Sequence, residues 1–142
     1  MNKGYTLIEM LVVLLIVTVA ISIPLLSFQS YSDQREIDYF LDTLAEDLQY
    51  AQQYAYARQK YVYVTTTENH YYIRDTHLNV DPLKQRKIPK GITFEGTLAL
   101  HDVAYNANGN IRKPGTVLIN TPKANYKLVF QLGKGRFYIE KR

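Results

Sequence analysis

Residues 7–26 form a stretch of twenty residues in which the single ionisable side chain is Glu9. A helix rises about 1.5 Å per residue, so a helix of this length spans about 30 Å, the thickness of a bilayer's hydrocarbon core. A secretory signal has a shorter apolar stretch followed by a cleavage site of small residues. Here the run is longer and no such site follows it. Lys3 and the amino terminus lie on the short side of the run, which favours a cytoplasmic N-terminus. The plainest reading is a signal anchor with the rest of the chain outside the membrane. Glu9 does not fit that reading, because a carboxylate near the bilayer centre costs about 2.5–3.5 kcal/mol. Either it snorkels to the headgroups or it has a partner.

The remaining residues leave room for one globular domain. Cysteine is absent, which excludes disulfides, thiolate metal sites and a cysteine nucleophile. Charge is unevenly divided. Residues 29–60 hold three Lys/Arg against six Asp/Glu, a net −3, whereas residues 61–142 hold thirteen against six, a net +7. An acidic segment therefore precedes a basic domain.

Within 29–60, Ile37, Leu41, Leu44, Leu48, Ala51 and Ala55 recur at alternating steps of four and three, one face of a helix. Ser32 and Asp33, followed by Glu36, read as its N-cap and acidic first turn. Pro24 is expected to bend the preceding helix or to mark its exit from the membrane. After residue 60 the period changes to two. Strands are expected at 61–65, 70–74, 92–100, 103–105, 116–120, 126–132 and 136–140. Thr67-Glu68-Asn69 and Gly133-Lys134-Gly135 are expected hairpin turns, Asn106 to Asn110 a further turn, and 75–90 a loop. Thirteen tyrosines suit strands. The fold class is α+β: a long N-terminal helix, transmembrane then amphipathic, packed on an antiparallel β-sheet domain.

No constellation of catalytic residues appears. His70, His77 and His101 lack metal-ligand spacing, and Gly133-Lys134-Gly135 lacks the spacing of a phosphate-binding loop. No enzyme activity, metal or cofactor is expected. Basic residues do cluster: Lys84, Arg86, Lys87 and Lys90 in the 75–90 segment, and Arg112, Lys113, Lys134, Arg136, Lys141 and Arg142 near turns or the C-terminus. With Tyr71, Tyr72, Tyr105 and Tyr138 they suit contact with phosphates and bases, with Arg112, Lys113, Lys134 and Arg136 as the candidate DNA-contacting set. The alternatives are a solvated positive face and pairing with the acidic stems of neighbouring subunits.

The string Lys3-Gly4-Tyr5-Thr6-Leu7-Ile8-Glu9 resembles the type IV prepilin signature. The resemblance implies that a prepilin peptidase cuts after Gly4 and methylates the new N-terminus, Tyr5. It makes Glu9 the fifth residue of the mature chain, where it would pair with a neighbour's terminal amine during assembly. It implies a leader at 1–4, a transmembrane helix at 5–28, a stem helix at 29–60, a globular domain at 61–142 and a pilin-like fold. The Asn-x-x-Gly turn, the strand at 126–132 and Gly135-Arg136-Phe137-Tyr138-Ile139 resemble the GspH/FimT type of minor pseudopilin, and the chain is similar to ComGD-like competence pseudopilins. That implies a fibre subunit needed for DNA binding and uptake, partnered by other major and minor pseudopilins. It implies a single-pass membrane protein that ends at the cell surface after processing. The alternative is a minor pseudopilin of a type II secretion or type IV pilus system.

Overall fold

The computed structural model describes residues 6–75, 81–131 and 135–142, and for residues 23–33 the helical backbone without the side chains. Helix α1 runs over Leu7–Arg58. The chain divides into two units, residues 1–36 and 37–142. In the second unit, α1 presents Ile37, Leu41, Leu44, Leu48, Ala51 and Ala55 as a buried stripe, joined by Phe40 on the same face. The helix closes with Gln59 in the left-handed region at φ 52°. Lys60 N–H then reaches back to the Ala55 carbonyl at 3.2 Å, which satisfies one carbonyl left free by the helix end.

Eight strands follow: β1 Val62–Thr66, β2 His70–Arg74, β3 Lys84–Lys87, β4 Thr93–Gly96, β5 Ala104–Tyr105, β6 Gly115–Asn120, β7 Asn125–Phe130 and β8 Phe137–Lys141. They form two antiparallel sheets, one in the order β3-β2-β1-β5 and the other β4-β6-β7-β8. The helical stripe and the inward side chains of both sheets make one core, including Val62, Val64, Tyr71 and Ile73 from the first sheet and Val117, Ile119, Leu128 and Phe130 from the second. Phe40 bridges them. Its ring meets Tyr71 edge-on at 6.1 Å and lies 6.4 Å from Phe94.

Several local expectations take a different form. Ser32 and Asp33 lie inside α1 rather than at its start. A cap there has nothing to cap, because the backbone is already helical upstream and its N–H groups are engaged. Helical backbone also continues through Pro24. The 75–90 segment contains a strand, β3, whose Lys-Gln-Arg-Lys sequence carries no hydrophobic alternation. It pairs with β2 from Ile73↔Lys84 to His70↔Lys87 and stands at the sheet edge, where charged side chains reach water and discourage unwanted pairing. The expected strand at 92–100 ends at Gly96, after which Leu98 and Leu100 turn into the core. The Asn106 turn forms with its side chain accepting N–H bonds from Asn108 and Asn110, both at 3.0 Å. For the β7–β8 connection, residues 132–134 lie outside the described residues.

Among the described residues, one charged side chain sits in the core. Asp47 is 3% exposed and lies beside the apolar stripe. Its carboxylate accepts the Tyr71 hydroxyl at 2.9 Å and Arg86 Nε at 3.0 Å, with Arg86 Nη2 at 3.5 Å. One residue of α1 thereby ties down β2 and β3 together. Asp47→Ala strands the Tyr71 hydroxyl without its acceptor and leaves Arg86 without its counter-ion, and should lower the unfolding free energy by about 2–4 kcal/mol. Exposed Asp42→Ala should change it by less than about 0.5 kcal/mol. Denaturant unfolding of the full-length variants in detergent measures both, and equal effects would mean that the Asp47 network holds nothing together.

Candidate functional site

Thr6 opens α1. The Glu9 and Met10 N–H groups bond the Thr6 carbonyl at 3.1 and 3.3 Å, and Glu9 N–H also lies 3.4 Å from the Thr6 hydroxyl. Glu9 therefore stands in the first helical turn, where a carboxylate is favoured by the unpaired N–H groups. Around it every described side chain of the first unit up to residue 22 is exposed, including Leu7, Ile8, Met10, Leu11 and the run of Val, Leu and Ile to Ile21. A helix that is apolar on all sides calls for an apolar surrounding. Two of its hydroxyls are already satisfied for such a setting. Thr18 donates to the Leu15 carbonyl at 2.8 Å and Ser22 to the Thr18 carbonyl at 2.7 Å. Among the described residues, no helix is long and apolar enough to cross a membrane. The apolar run continues to residue 26, beyond the last described side chain at 22. Gly4 and Tyr5 lie outside the described residues.

The basic candidates separate into two groups. Arg112, Lys113 and Arg136 are exposed; Lys134 lies outside the described residues. Gly115 is opposite Phe130, and Phe130 opposite Phe137. The segments that lead into β6 and β8, with Arg112 and Lys113 on one and Arg136 on the other, thus reach the same end of their sheet. Gly135 makes this approach with φ +61°. A side chain on it would collide with the Gln52 amide and the Gly109 carbonyl. Gln52 Nε2 also donates to the Gly109 carbonyl at 3.0 Å, so the helix holds the Asn106 turn in place. The Arg112 guanidinium lies 5.9 Å from the Tyr61 ring centre.

In the 75–90 segment, Lys87 and Lys90 are exposed, whereas Arg86 and Lys84 belong to the fold. Arg86 is committed to Asp47, whose hydrogen bond and charge hold the guanidinium pKa above its ordinary value. Lys84 Nζ lies 5.0 Å from the centre of the Tyr50 ring on α1. Two of the tyrosines expected to stack on bases are unavailable: Tyr71 and Tyr105 have no exposed surface. Tyr71 takes a buried position in the alternating pattern of β2, and the sequence alone does not say whether Tyr71 or Tyr72 faces inward. Tyr138 is exposed and Tyr72 half-buried. An open groove of about 580 Å³ runs between α1 and β8, but Asp38 and Asp42 on its wall disfavour phosphate. Among the described residues, no group of three or more metal-ligating side chains gathers.

Residues 1–23 match the family described as the prokaryotic N-terminal methylation motif. No curated protein sequence matches the chain. Among solved structures, the chain is similar to the type IV minor pilin FimU of Pseudomonas aeruginosa strain PAO1. The two share 17% identity with a TM-score of 0.64, over 78% of this chain and 92% of that one. The fold is that of a pilin, an N-terminal helix packed on antiparallel strands, and the chain's N-terminus carries the methylation motif.

The core tyrosines generate a pH test. Burial, and then the Asp47 carboxylate, push the Tyr71 hydroxyl far above its ordinary range. Burial alone raises Tyr105, whose hydroxyl has no hydrogen-bond partner among the described residues. Both stay protonated in the fold, while an unfolded tyrosine ionises near pH ~10. Their contribution is complete below that pH and is lost as pH rises toward the raised folded values, at about 1.4 kcal/mol per pH unit for each. Urea unfolding at a series of pH values above 10 should show this decline, and Tyr105→Phe should remove about half of its slope. An unchanged slope in that variant would contradict the assignment.

Proposed function

We propose that the chain is a minor pilin-like subunit of a pilus-like fibre, made as a precursor and anchored by its N-terminal helix before assembly. What carries this reading is the meeting, in one chain, of the methylation motif over residues 1–23, a helical run at 7–22 that is exposed on every side and apolar apart from Glu9, Thr18 and Ser22, and a pilin fold. In this reading a prepilin peptidase cuts after Gly4 and methylates Tyr5. A glycine before the scissile bond lets catalytic groups approach the backbone without a side chain in the way. The precursor is single-pass with its N-terminus cytoplasmic, and the processed subunit ends at the cell surface among other major and minor pseudopilins. Glu9 pairs with the terminal amine of a neighbour, turning two charges that are costly in an apolar setting into one interaction that sets register along the fibre.

The finer reading is a competence fibre, with the subunit serving DNA binding and uptake. Its support is the exposed set Arg112, Lys113 and Arg136 at one sheet end, to which the sequence adds Lys134, within a domain of net +7. A second reading, a subunit of a type IV pilus or a type II secretion system, draws on the likeness to a type IV minor pilin. There the partner is an exported protein or the initiating complex of the fibre.

Processing and assembly separate cleanly. Co-expressed with a prepilin peptidase, the chain should lose residues 1–4, and Gly4→Arg should retain them. Glu9→Val should still be inserted and cut, yet lose co-purification with partner pseudopilins. Intact mass and pull-down read the two steps, and retention of residues 1–4 beside an active peptidase would defeat the proposal. In the source bacterium, deletion should lower transformation frequency by orders of magnitude while secretion continues. The opposite pattern would move the protein to the second reading.

A further inference from the structure

We propose that the outer face of the sheet β3-β2-β1-β5 is a stacking platform for single-stranded nucleic acid, with Tyr61, Tyr63 and Tyr72 receiving bases and Arg74, Lys87 and Arg112 receiving phosphates. The proposal deepens the DNA-contacting part of the function above and rests on it. It locates the contact on a different face from the sheet end that holds Arg136.

Register builds the face. Residues opposite one another in an antiparallel pair point to the same side. Val62, Val64, Tyr71 and Ile73 point into the core, so Tyr63, Thr65, His70, Tyr72 and Arg74 point out. Crossing the sheet, the outward rows are Tyr63 and Arg74 beside a buried Ala104, then Thr65, Tyr72 and Gln85, then His70 and Lys87. No carboxylate occurs in these rows. Acids flank the face: Glu68 lies in the β1–β2 turn, exposed Asp102 lies just before β5, and Asp75, just past β2, accepts Lys60 Nζ at 3.3 Å and the Tyr54 hydroxyl at 3.2 Å.

Rings and cations alternate on this face. Tyr61 and Tyr63 are nearly parallel, with centres 6.4 Å apart and planes 19° from each other. Arg74 lies 5.0 Å from the Tyr72 ring centre, and Arg112 lies 5.9 Å from that of Tyr61. His70 lies 6.2 Å from Tyr72, tilted by 31°. A base stacked on either ring would bring its own phosphate toward the cation beside it. Cross-strand aromatic pairs also stabilise sheets, but that role does not account for the placement of a cation at two of the three rings. A duplex hides the faces of its bases against one another, so a row of rings selects an unpaired strand.

The test uses the full-length chain in detergent micelles. The probe is a short fluorescein-labelled oligothymidine, compared with a duplex of equal length. The single strand should bind more tightly. Tyr63→Leu with Tyr72→Leu should weaken it by about tenfold or more without changing the salt dependence. Arg74→Gln with Lys87→Gln should flatten the log–log salt slope by about 0.7 for each phosphate that is no longer neutralised. A second readout does not depend on the variants folding. The chain has no tryptophan, so its emission is that of tyrosine; oligothymidine should quench it, and heparin, a polyanion without bases, should not. A folded leucine pair that binds like wild type, binding without quenching, or equal affinity for duplex would each overturn the platform. If, in addition, Lys113→Gln and Arg136→Gln together abolish binding, DNA contact stands and only its location is wrong. If wild type binds no nucleic acid either in micelles or in assembled fibres, the DNA reading falls with the platform.

Discussion

The domain depends on one stripe of a single helix. Between Ile37 and Ala55, α1 must bring a buried side chain to the same face at alternating steps of four and three, because two separate sheets close over that face. Leu44, Leu48, Ala51 and Ala55 are fully buried, and burying a leucine contributes about 1.5–3 kcal/mol. The two alanines matter for their size as much as for their apolarity. Gln52, beside Ala51, reaches the Gly109 carbonyl, and the Gly135 backbone comes up against the same amide. Larger side chains toward this end of the stripe would hold the Asn106 turn and the start of β8 away from the helix.

Placing a carboxylate next to this stripe sets a second constraint. A buried Asp47 is costly unless its oxygens are filled, and Tyr71 and Arg86 fill them. The two donors come from neighbouring strands and stand directly opposite each other in the β2–β3 pairing. A strand as polar as Lys-Gln-Arg-Lys therefore has a fixed place, because its third residue bonds Asp47. The pairing also selects the edge position for β3, where Gln85 and Lys87 remain in water.

These relations explain what could be read in the sequence. The helical stripe was legible because its period is local and all six named residues are buried. The Thr67 hairpin and the Asn106 turn were legible for the same reason, since their chemistry sits within a few residues. β3 was not, because nothing in its own sequence alternates and its stabilising partners lie on β2 and α1. Asp47 sits next to Glu46 in an acidic segment and looks like any solvated helix residue; its burial is set by Arg86, 39 residues later. The split into two sheets was likewise not legible, because period-two patterns identify strands but not which strands pair. Of the candidate cations, exposure at Arg112, Lys113 and Arg136 agrees with a surface role, whereas Arg86 has a structural one.

The inner network and the outer face are two consequences of the same register. In β2 the adjacent Tyr71 and Tyr72 point to opposite sides, one onto Asp47 and the other beneath Arg74. A slip of one residue would reverse every side chain in the strand. It would bury His70, Tyr72 and Arg74, leave Asp47 without the Tyr71 hydroxyl, and expose Ile73. A buried unpaired guanidinium alone costs several kcal/mol, so the slipped pairing is strongly disfavoured. The Asp47–Tyr71 bond thus decides more than local stability. By holding β2 in one register, it determines that the tyrosines and arginines left outside form an ordered row rather than a mixture of core and surface residues. A face built this way is rigid because the core beneath it admits one arrangement, which is what a surface that reads flat bases needs.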